Sequence, residues 1–250
     1  MKKIIEIKNL NYTYPDGKQA LKNINLDIFE GESVGIIGPN GAGKTTLLLH
    51  LNGILRGKGF ISVFGNEINN GNLKIIRSKV GLVFQNPDDQ LFSLTVFDDI
   101  AFGLLNMNIP PSEIKERINK VLKDLDLINY ENLIPHHLSL GEKKRVSLAT
   151  ILVMEPEILV LDEPTSNLDP YSKRHLISIL KKLKITKIIA SHDLEMVLEL
   201  TDRVILLNKG EKITEGKSIE ILSNKNLMEA NLLEVPLSLV FNSATKRKLI

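Results

Sequence analysis

The sequence predicts an α/β fold, a largely parallel sheet covered by helices on both faces, with a helical region inserted into it. Three observations carry this. Apolar strand-length runs such as "EILVLDE" and "TKIIASHD" alternate with helix-length segments, the pattern of strands joined by helical crossovers. A glycine-rich loop, Gly38 to Thr45, joins one such strand to an apolar helix. Between about Pro110 and Ile128 the period changes to that of an amphipathic helix.

In chain order, "KIIEIKNLNYTYP" and "ALKNINLDIFEGESVGIIG" read as strands, with turn signals at Pro15-Asp16-Gly17 and Glu30-Gly31. "TTLLLHLNGIL" reads as a buried helix ended near Gly53, and "GFISVFG" as a short strand finishing on Gly65. The stretch "FQNPDDQLFSLTVFDDIAFG", Phe84 to Gly103, matches no simple period. "PSEIKERINKVLKDLDL" places Ile114, Ile118, Val121, Leu122 and Leu125 on one helical face, with Ser112 as its N-cap. "EKKRVSLATILVM" reads as helix, "EILVLDE" as a fully buried strand, "PYSKRHLISILKKLK" as helix and "TKIIASHD" as strand. "DRVILLNKGEKITEG" reads as a hairpin turning at Lys209-Gly210, and beyond Gly216 a helical tail ends in a frayed, solvated "TKRKLI".

Composition bounds the function without choosing it. The chain has 250 residues, 43% hydrophobic and 25% charged, which is ordinary globular composition. A formal charge of +2 supplies no basic field to favour nucleic acid, and with no cysteine there is no disulfide framework and no thiolate metal site. Polar residues interrupt "MKKIIEIKNLNYTY" before a signal-peptide core forms. No run approaches the roughly 18 apolar residues that a membrane span needs, so work at a membrane requires another chain to supply the span.

Gly38-Pro39-Asn40-Gly41-Ala42-Gly43-Lys44-Thr45 fits G-x-x-x-x-G-K-[ST] in the required setting between strand and helix. Its glycines let backbone N–H groups converge on phosphate oxygens, and the helix that follows adds the positive end of its dipole. In this P-loop, Lys44 is placed to reach the β- and γ-phosphates and Thr45 to ligate Mg²⁺. Thr46, next in the chain, belongs to the same nucleotide site. "ILVLDEP", Ile158 to Pro164, is an apolar strand ending in two acids. Asp162 suits the Mg²⁺ shell, and Glu163 suits the general base that orients or deprotonates an attacking water. His192, after "KIIAS", ends another strand where it can contact the γ-phosphate or that water.

On these residues the chain resembles the ATP-binding subunits of ABC transporters over nearly its whole length. The resemblance implies a P-loop NTPase core with an N-terminal antiparallel β-subdomain. It places the ATPase domain at 1–216, a helical subdomain at about 86–155 and a C-terminal appendage at 217–250. "LSLGEKKRV", Leu138 to Val146, occupies the place of the family's LSGGQ signature, about twenty residues before the aspartate strand. Ser139 and Gly141 match, whereas Leu140 replaces a glycine and Glu142 the glutamine. By resemblance Ser139 and Gly141 contact the γ-phosphate held by the P-loop of a second subunit, and Leu140 puts a bulky side chain near it. Gln85 resembles the Q-loop glutamine, which senses Mg²⁺ and the γ-phosphate. Ser166 to Asp169 resembles the D-loop, which touches the opposite subunit. Tyr14 resembles the aromatic that stacks on adenine, with Tyr12 as the competing candidate.

The same resemblance gives the Phe84–Gly103 stretch a purpose: it runs from the Q-loop into the helical subdomain, where a membrane partner's coupling helix docks. Its wording, with "YPDG" near the N-terminus and "EANLLEVPL" at Glu229 to Leu237, is similar to the ATPases of energy-coupling-factor importers, especially the cobalt and nickel type. This implies a homodimer, or a paralogue heterodimer, sandwiching two Mg-ATP. It also implies a transmembrane coupling subunit, a substrate-binding membrane component, no nucleic-acid partner, and a peripheral place on the cytoplasmic face of the cell membrane. His136-His137 invites a metal reading that two adjacent loop residues do not sustain without further ligands. Asp88-Asp89 and Asp98-Asp99 read as solvated or helix-start charge, and Lys143-Lys144-Arg145 as the polar face of the helix after the signature. The rivals are an ATPase of a vitamin transporter or another ABC transporter, and a soluble ABC ATPase acting on DNA or ribosomes. The roughly 95 residues from Lys44 to Ser139 leave no room for the long coiled coil of the DNA-repair members.

Overall fold

The structure, a computed structural model, describes residues 2–240, so the basic "TKRKLI" end lies outside the described residues. The chain opens with β1 (Lys3–Thr13), β2 (Gln19–Phe29), β3 (Ser33–Ile37), α1 (Lys44–Leu51), β4 (Lys58–Val63), β5 (Asn66–Glu67) and α2 (Leu73–Lys79). It continues with β6 (Val80–Val83), α3 (Val96–Asn106), α4 (Pro111–Asp124), α5 (Leu140–Leu152), β7 (Ile158–Asp162) and α6 (Pro170–Lys182). Last come β8 (Thr186–Ala190), α7 (Leu194–Leu200), β9 (Arg203–Asn208), β10 (Glu211–Lys217), α8 (Ser218–Leu222) and α9 (Lys225–Ala230). Two compact units result, one made by the chain up to Ile76 and from Ile185 onward, the other by Arg77–Lys184.

In the first unit an antiparallel sheet of order β2-β1-β4-β5 is the N-terminal β-subdomain. Its buried positions, Ile5, Ile7, Leu10, Ile24, Leu26 and Ile28, come from the alternating faces of β1 and β2. The β1–β2 register slips between Ile7 and Leu10, where Asn9 takes φ +50 and Asn23 φ +49. Asparagine enters this left-handed region more readily than other side chains, and the freed amides are used: Asn9 N donates to Asn25 Oδ1 at 2.9 Å and Asn23 N to Asn11 Oδ1 at 3.0 Å. β3 pairs in parallel with β8 and with β9. All five β3 residues are buried, as a strand covered on both faces requires. The β9–β10 hairpin turns at Lys209 (φ +48) and Gly210 (φ +82), two successive positive φ values of the kind that match strand twist.

In the second unit β6 and β7 pair in parallel, Val80 with Ile158 through Val83 with Leu161, and both are wholly buried. The Phe84–Gly103 stretch, aperiodic in sequence, forms a one-turn 3₁₀ helix (Pro87–Asp89) and then α3. Thr95 caps α3, its Oγ1 accepting from Asp98 N at 3.1 Å. Asp98 and Asp99 both stand in the first turn of α3, but Asp99 is not solvated: it is buried and accepts from Phe92 N (3.1 Å) and Ser93 N (2.9 Å). It folds the preceding loop over the helix end. The expected Ser112 N-cap is corrected as well. Helix α4 starts at Pro111 with Pro110 in the cap position and no side-chain cap, because the fixed φ of proline suits the first helical residue and draws the start forward. The predicted face holds, with Ile114, Ile118, Val121, Leu122 and Leu125 buried.

Candidate active site

One half of the candidate residues, the phosphate loop among them, lies in the first unit. β3 delivers the chain into the loop Gly38–Thr45, and α1 begins at Lys44 with Gly43 (φ +102) as an N-cap that supplies no side-chain bond. The loop's glycines answer different demands. A Cβ on Gly38 would meet Leu207 O at 2.1 Å, whereas around Gly41 there is open space and only its φ of +78 excludes other residues. The loop is braced from within: Ala42 N donates to Pro39 O (3.1 Å), Gly210 N to Ala42 O (3.1 Å), and Lys44 Nζ to Gly38 O (2.8 Å) and Pro39 O (3.3 Å). Asn40, Gly41 and Thr45 face outward, with Thr46 beneath them.

Tyr14 reaches this loop, its hydroxyl 3.0 Å from Thr46 Oγ1. Tyr12 lies edge-on to both Tyr14 and His50, with ring centroids 4.9 Å apart in each case, so it supports Tyr14 from behind. His50, fully buried, holds Thr46 O through Nδ1 at 2.7 Å, and burial pushes its pKa down. His192 is exposed two residues beyond the end of β8. Because Ile36 of β3 pairs in parallel with Ala190 of β8, Gly38 and His192 leave their strands at the same end of the pair.

The other half of the candidate residues lies in the second unit. Asp162 closes β7, Glu163 follows, and both are buried. Glu163 has φ +44, a strained backbone for a residue with a side chain, of the kind that clusters at functional sites. Its carbonyl accepts from Ser166 Oγ at 2.9 Å and from Lys144 Nζ at 2.9 Å. Gln85 is exposed just past β6, and the parallel β6–β7 register brings it and Glu163 out at one edge. Lys144 had been expected on the polar face of α5 beside Lys143 and Arg145. It is instead buried, at 5% exposure, because the loops on either side of it present acceptors that only a long cationic side chain reaches.

At the signature Ser139 is the N-cap of α5 and makes a reciprocal capping box with Glu142. Glu142 Oε2 accepts from Ser139 N (2.8 Å) and Ser139 Oγ (2.7 Å), and Oε1 from the Tyr130 hydroxyl (2.5 Å). These bonds, that of Ser139 foremost, hold the Glu142 carboxyl below the usual carboxylate range. Leu140 opens the helix. A Cβ on Gly141 would meet Ser172 Oγ at 2.7 Å, so this glycine allows the signature helix to approach α6. Asp169 caps α6, accepting from Tyr171 N (2.9 Å) and Ser172 N (3.1 Å), with Pro170 first in the helix.

Three residues of this half escaped the sequence reading. Lys144 and Tyr130 are two. The third is Gln90, which accepts from Phe84 N (3.2 Å) and donates to Ser147 O (2.8 Å) and Thr150 Oγ1 (2.7 Å), bracing the loop that carries Gln85. No spacing marks any of them. His136 and His137 lie exposed in the one-turn helix Pro135–His137.

In the first unit, a glycine loop leading into an uncapped helix start, with a lysine and a threonine hydroxyl, suits the phosphates of a nucleotide. In the second unit, the buried aspartate at a strand end is an oxygen donor of the kind a hard divalent cation takes. The chain belongs to the ABC transporter family, whose model matches residues 21–166, and it is an ATPase of that type, its hydrolysis coupled to transport. Among its relatives, the energy-coupling factor transporter ATP-binding protein EcfA of Methanothermobacter thermautotrophicus is 49% identical, the match covering 93% of this chain and 77% of that one. The protein of the same description from Carboxydothermus hydrogenoformans is 47% identical, covering 93% and 87%. Among solved structures, CbiO1 of Clostridium perfringens, part of the ABC transporter complex CbiONQ, matches with a TM-score of 0.81 and 38% identity over 97% of this chain and 100% of that one. A dimeric post-hydrolysis ATP-binding cassette bound to ADP and Pi matches with a TM-score of 0.77 and 31% identity over 86% and 99%. Among the described residues no helix is long and apolar enough to cross a membrane.

Proposed function

We propose that this chain is the ATP-hydrolysing subunit of an energy-coupling-factor importer, working as a dimer beneath a transmembrane coupling subunit and a substrate-binding membrane component. The observation that carries the docking is an apolar surface on the second unit. Phe92 and Leu94 are 65% and 83% exposed, and Phe102 and Leu105 on α3 stand out of the helix beside them. Phe92 and Phe102 meet edge to face at 5.1 Å. Exposed apolar groups of this size mark an interaction site, and an aromatic pair held by α3 and its capped loop suits the apolar face of a partner helix. The likeness to energy-coupling factor ATPases and to a subunit of CbiONQ supports an assembly of that kind. Cobalt or nickel is the cargo this reading favours, on the sequence resemblance to importers of those ions.

At the site, Lys44 and the amides of Gly38–Thr46 bind the phosphates and Tyr14 stacks on adenine. Thr45, Asp162 and Gln85 hold Mg²⁺, whose charge offsets that of the β- and γ-oxygens. Glu163 takes the proton of the attacking water, and His192 orients the water or the γ-phosphate. Ser139, Leu140, Gly141 and Glu142 face the nucleotide of the second subunit, and Ser166 and Asp169 the opposing chain. The dimeric form of a related cassette supports this arrangement.

The test is capture of the tagged full-length chain from detergent-solubilised native membranes, followed by mass spectrometry. Recovery of a coupling subunit with a small substrate-binding membrane protein is the expected outcome, with cobalt or nickel uptake lost when the gene is removed. Recovery of ribosomal or DNA-bound partners alone, with the chain absent from membranes, overturns the importer reading and leaves the ATPase standing.

A further inference from the structure

We infer that Lys144 is a positioning residue for ATP hydrolysis, tying the signature helix to the loops that carry Gln85, Glu163 and Ser166. This rests on the assignment of Glu163 as the general base. The side chain leaves α5 just over one turn beyond Ser139, and its ammonium group has three acceptors: Gln85 O at 3.0 Å, Glu163 O at 2.9 Å and Ser166 Oγ at 3.1 Å. An ammonium has three protons and no acceptor capacity, so these bonds use all of it. Ser166 Oγ accepts from Lys144 and donates its own hydrogen bond to Glu163 O at 2.9 Å. The bonds close a ring through Lys144, Ser166 and the Glu163 carbonyl.

The ring gives the strained backbone at Glu163 a cause. A residue with φ +44 persists only where its surroundings over-determine it, and here the carbonyl is held by two side-chain donors. Burial of the ammonium lowers its pKa to about 8, opposed by the nearby charges of Glu163 and Asp162, but the role is carried by the bond geometry. Because Lys144 stands on α5, whose first turn carries Ser139 to Glu142, a displacement of the signature helix pulls on the main chain of Gln85 and Glu163 together. The arrangement therefore places the base when the signature is in register and withdraws it when the signature moves. Lys144 touches the main chain of these residues and a D-loop hydroxyl, so it acts through them.

The test uses the full-length chain. Lys144→Met keeps the apolar stem and removes all three donors. A misplacement of about 1 Å costs on the order of 10²-fold in rate, so kcat is expected to fall about 10- to 100-fold, with KM for Mg-ATP and the affinity for the fluorescent analogue TNP-ATP within about threefold. Ser166→Ala, which breaks the ring at one member, should lower kcat in the same sense by a smaller factor. In a Glu163→Gln background Lys144→Met should add no further loss. The inference is overturned if Lys144→Met keeps kcat within about twofold, or loses TNP-ATP affinity in proportion to rate. If Lys144→Met does not fold, an unchanged kcat in Ser166→Ala overturns it instead. Rapid turnover by Glu163→Gln alone removes the base assignment on which the inference rests, an outcome distinct from the failure of Lys144.

Discussion

Tyr14, the aromatic proposed to stack on adenine, is fixed by its neighbours. Its hydroxyl is held by Thr46, and the Tyr12 ring stands edge-on behind it, itself against His50. In the proposed arrangement Tyr12, the competing candidate from sequence, acts as the buttress. An aromatic ring fixed beforehand loses little entropy when adenine stacks on it, and stacking on a base is worth roughly 1–3 kcal/mol. Tyr14→Ala is expected to raise KM for ATP about tenfold or more with a smaller effect on kcat, whereas Tyr14→Phe stays near the natural chain. A large KM effect from Tyr12→Ala but none from Tyr14→Ala would reverse the two roles. Burial pushes the pKa of His50, behind them, down. Its contribution to stability is complete above its unfolded value of about 6.5 and declines as pH falls below that, since the unfolded chain then binds the proton more readily.

Helix α5 shows what a departure from a motif does. Where the signature has a glutamine, Glu142 serves as the third residue of a capping box and also accepts from Tyr130. A carboxylate near a helix N-terminus is favoured by the dipole, and its bonds lower its pKa. The sign follows: a depressed carboxyl pKa contributes stability that is complete above the unfolded value and is lost as pH falls through the folded one. The natural chain is therefore expected to melt above Glu142→Gln at pH 7, by about 2 °C or more for a network of this kind, and the gap should close below about pH 4. Calorimetry at both pH values decides this; a gap that persists in acid means that the charge of Glu142 is not what holds the cap. The same carboxylate also occupies the Ser139 hydroxyl, which would have to turn from it to meet a phosphate in the proposed role.

For the molecule as a whole, the exposed apolar groups between Phe92 and Leu105 are a feature that its own core does not explain. Leu94, at 83% exposure, contributes almost nothing to folding. Leu94→Asp is accordingly expected to leave the melting temperature within about 1 °C, since exposed substitutions usually change stability by no more than about 0.5 kcal/mol. In detergent extracts the same variant should lose most of the co-purifying coupling subunit. Retention of that subunit at the natural level would remove this surface from the docking site.

Local grammar was enough for much of this protein. The glycine spacing of Gly38–Thr45, the acidic pair at the end of "ILVLDEP", the Lys209-Gly210 turn and the buried face of α4 depend on residues close in sequence, whose sterics and periodicity act before the chain folds. Ser139 and Asp169, singled out by family resemblance, cap α5 and α6 through amides within three residues of them, which is local chemistry too. What the fold alone decided depends on hydrogen-bond partners that no local periodicity places. Lys144 looks like one cation among three until the loops after β6 and β7 offer it three oxygens. Asp99 looks like a surface acid until the Phe92–Ser93 amides turn back onto it. Gln90 gains its role from carbonyl and hydroxyl groups nearly sixty residues away. A buried polar group is defined by what desolvates and pairs it, and those partners do not exist until the tertiary structure brings them together.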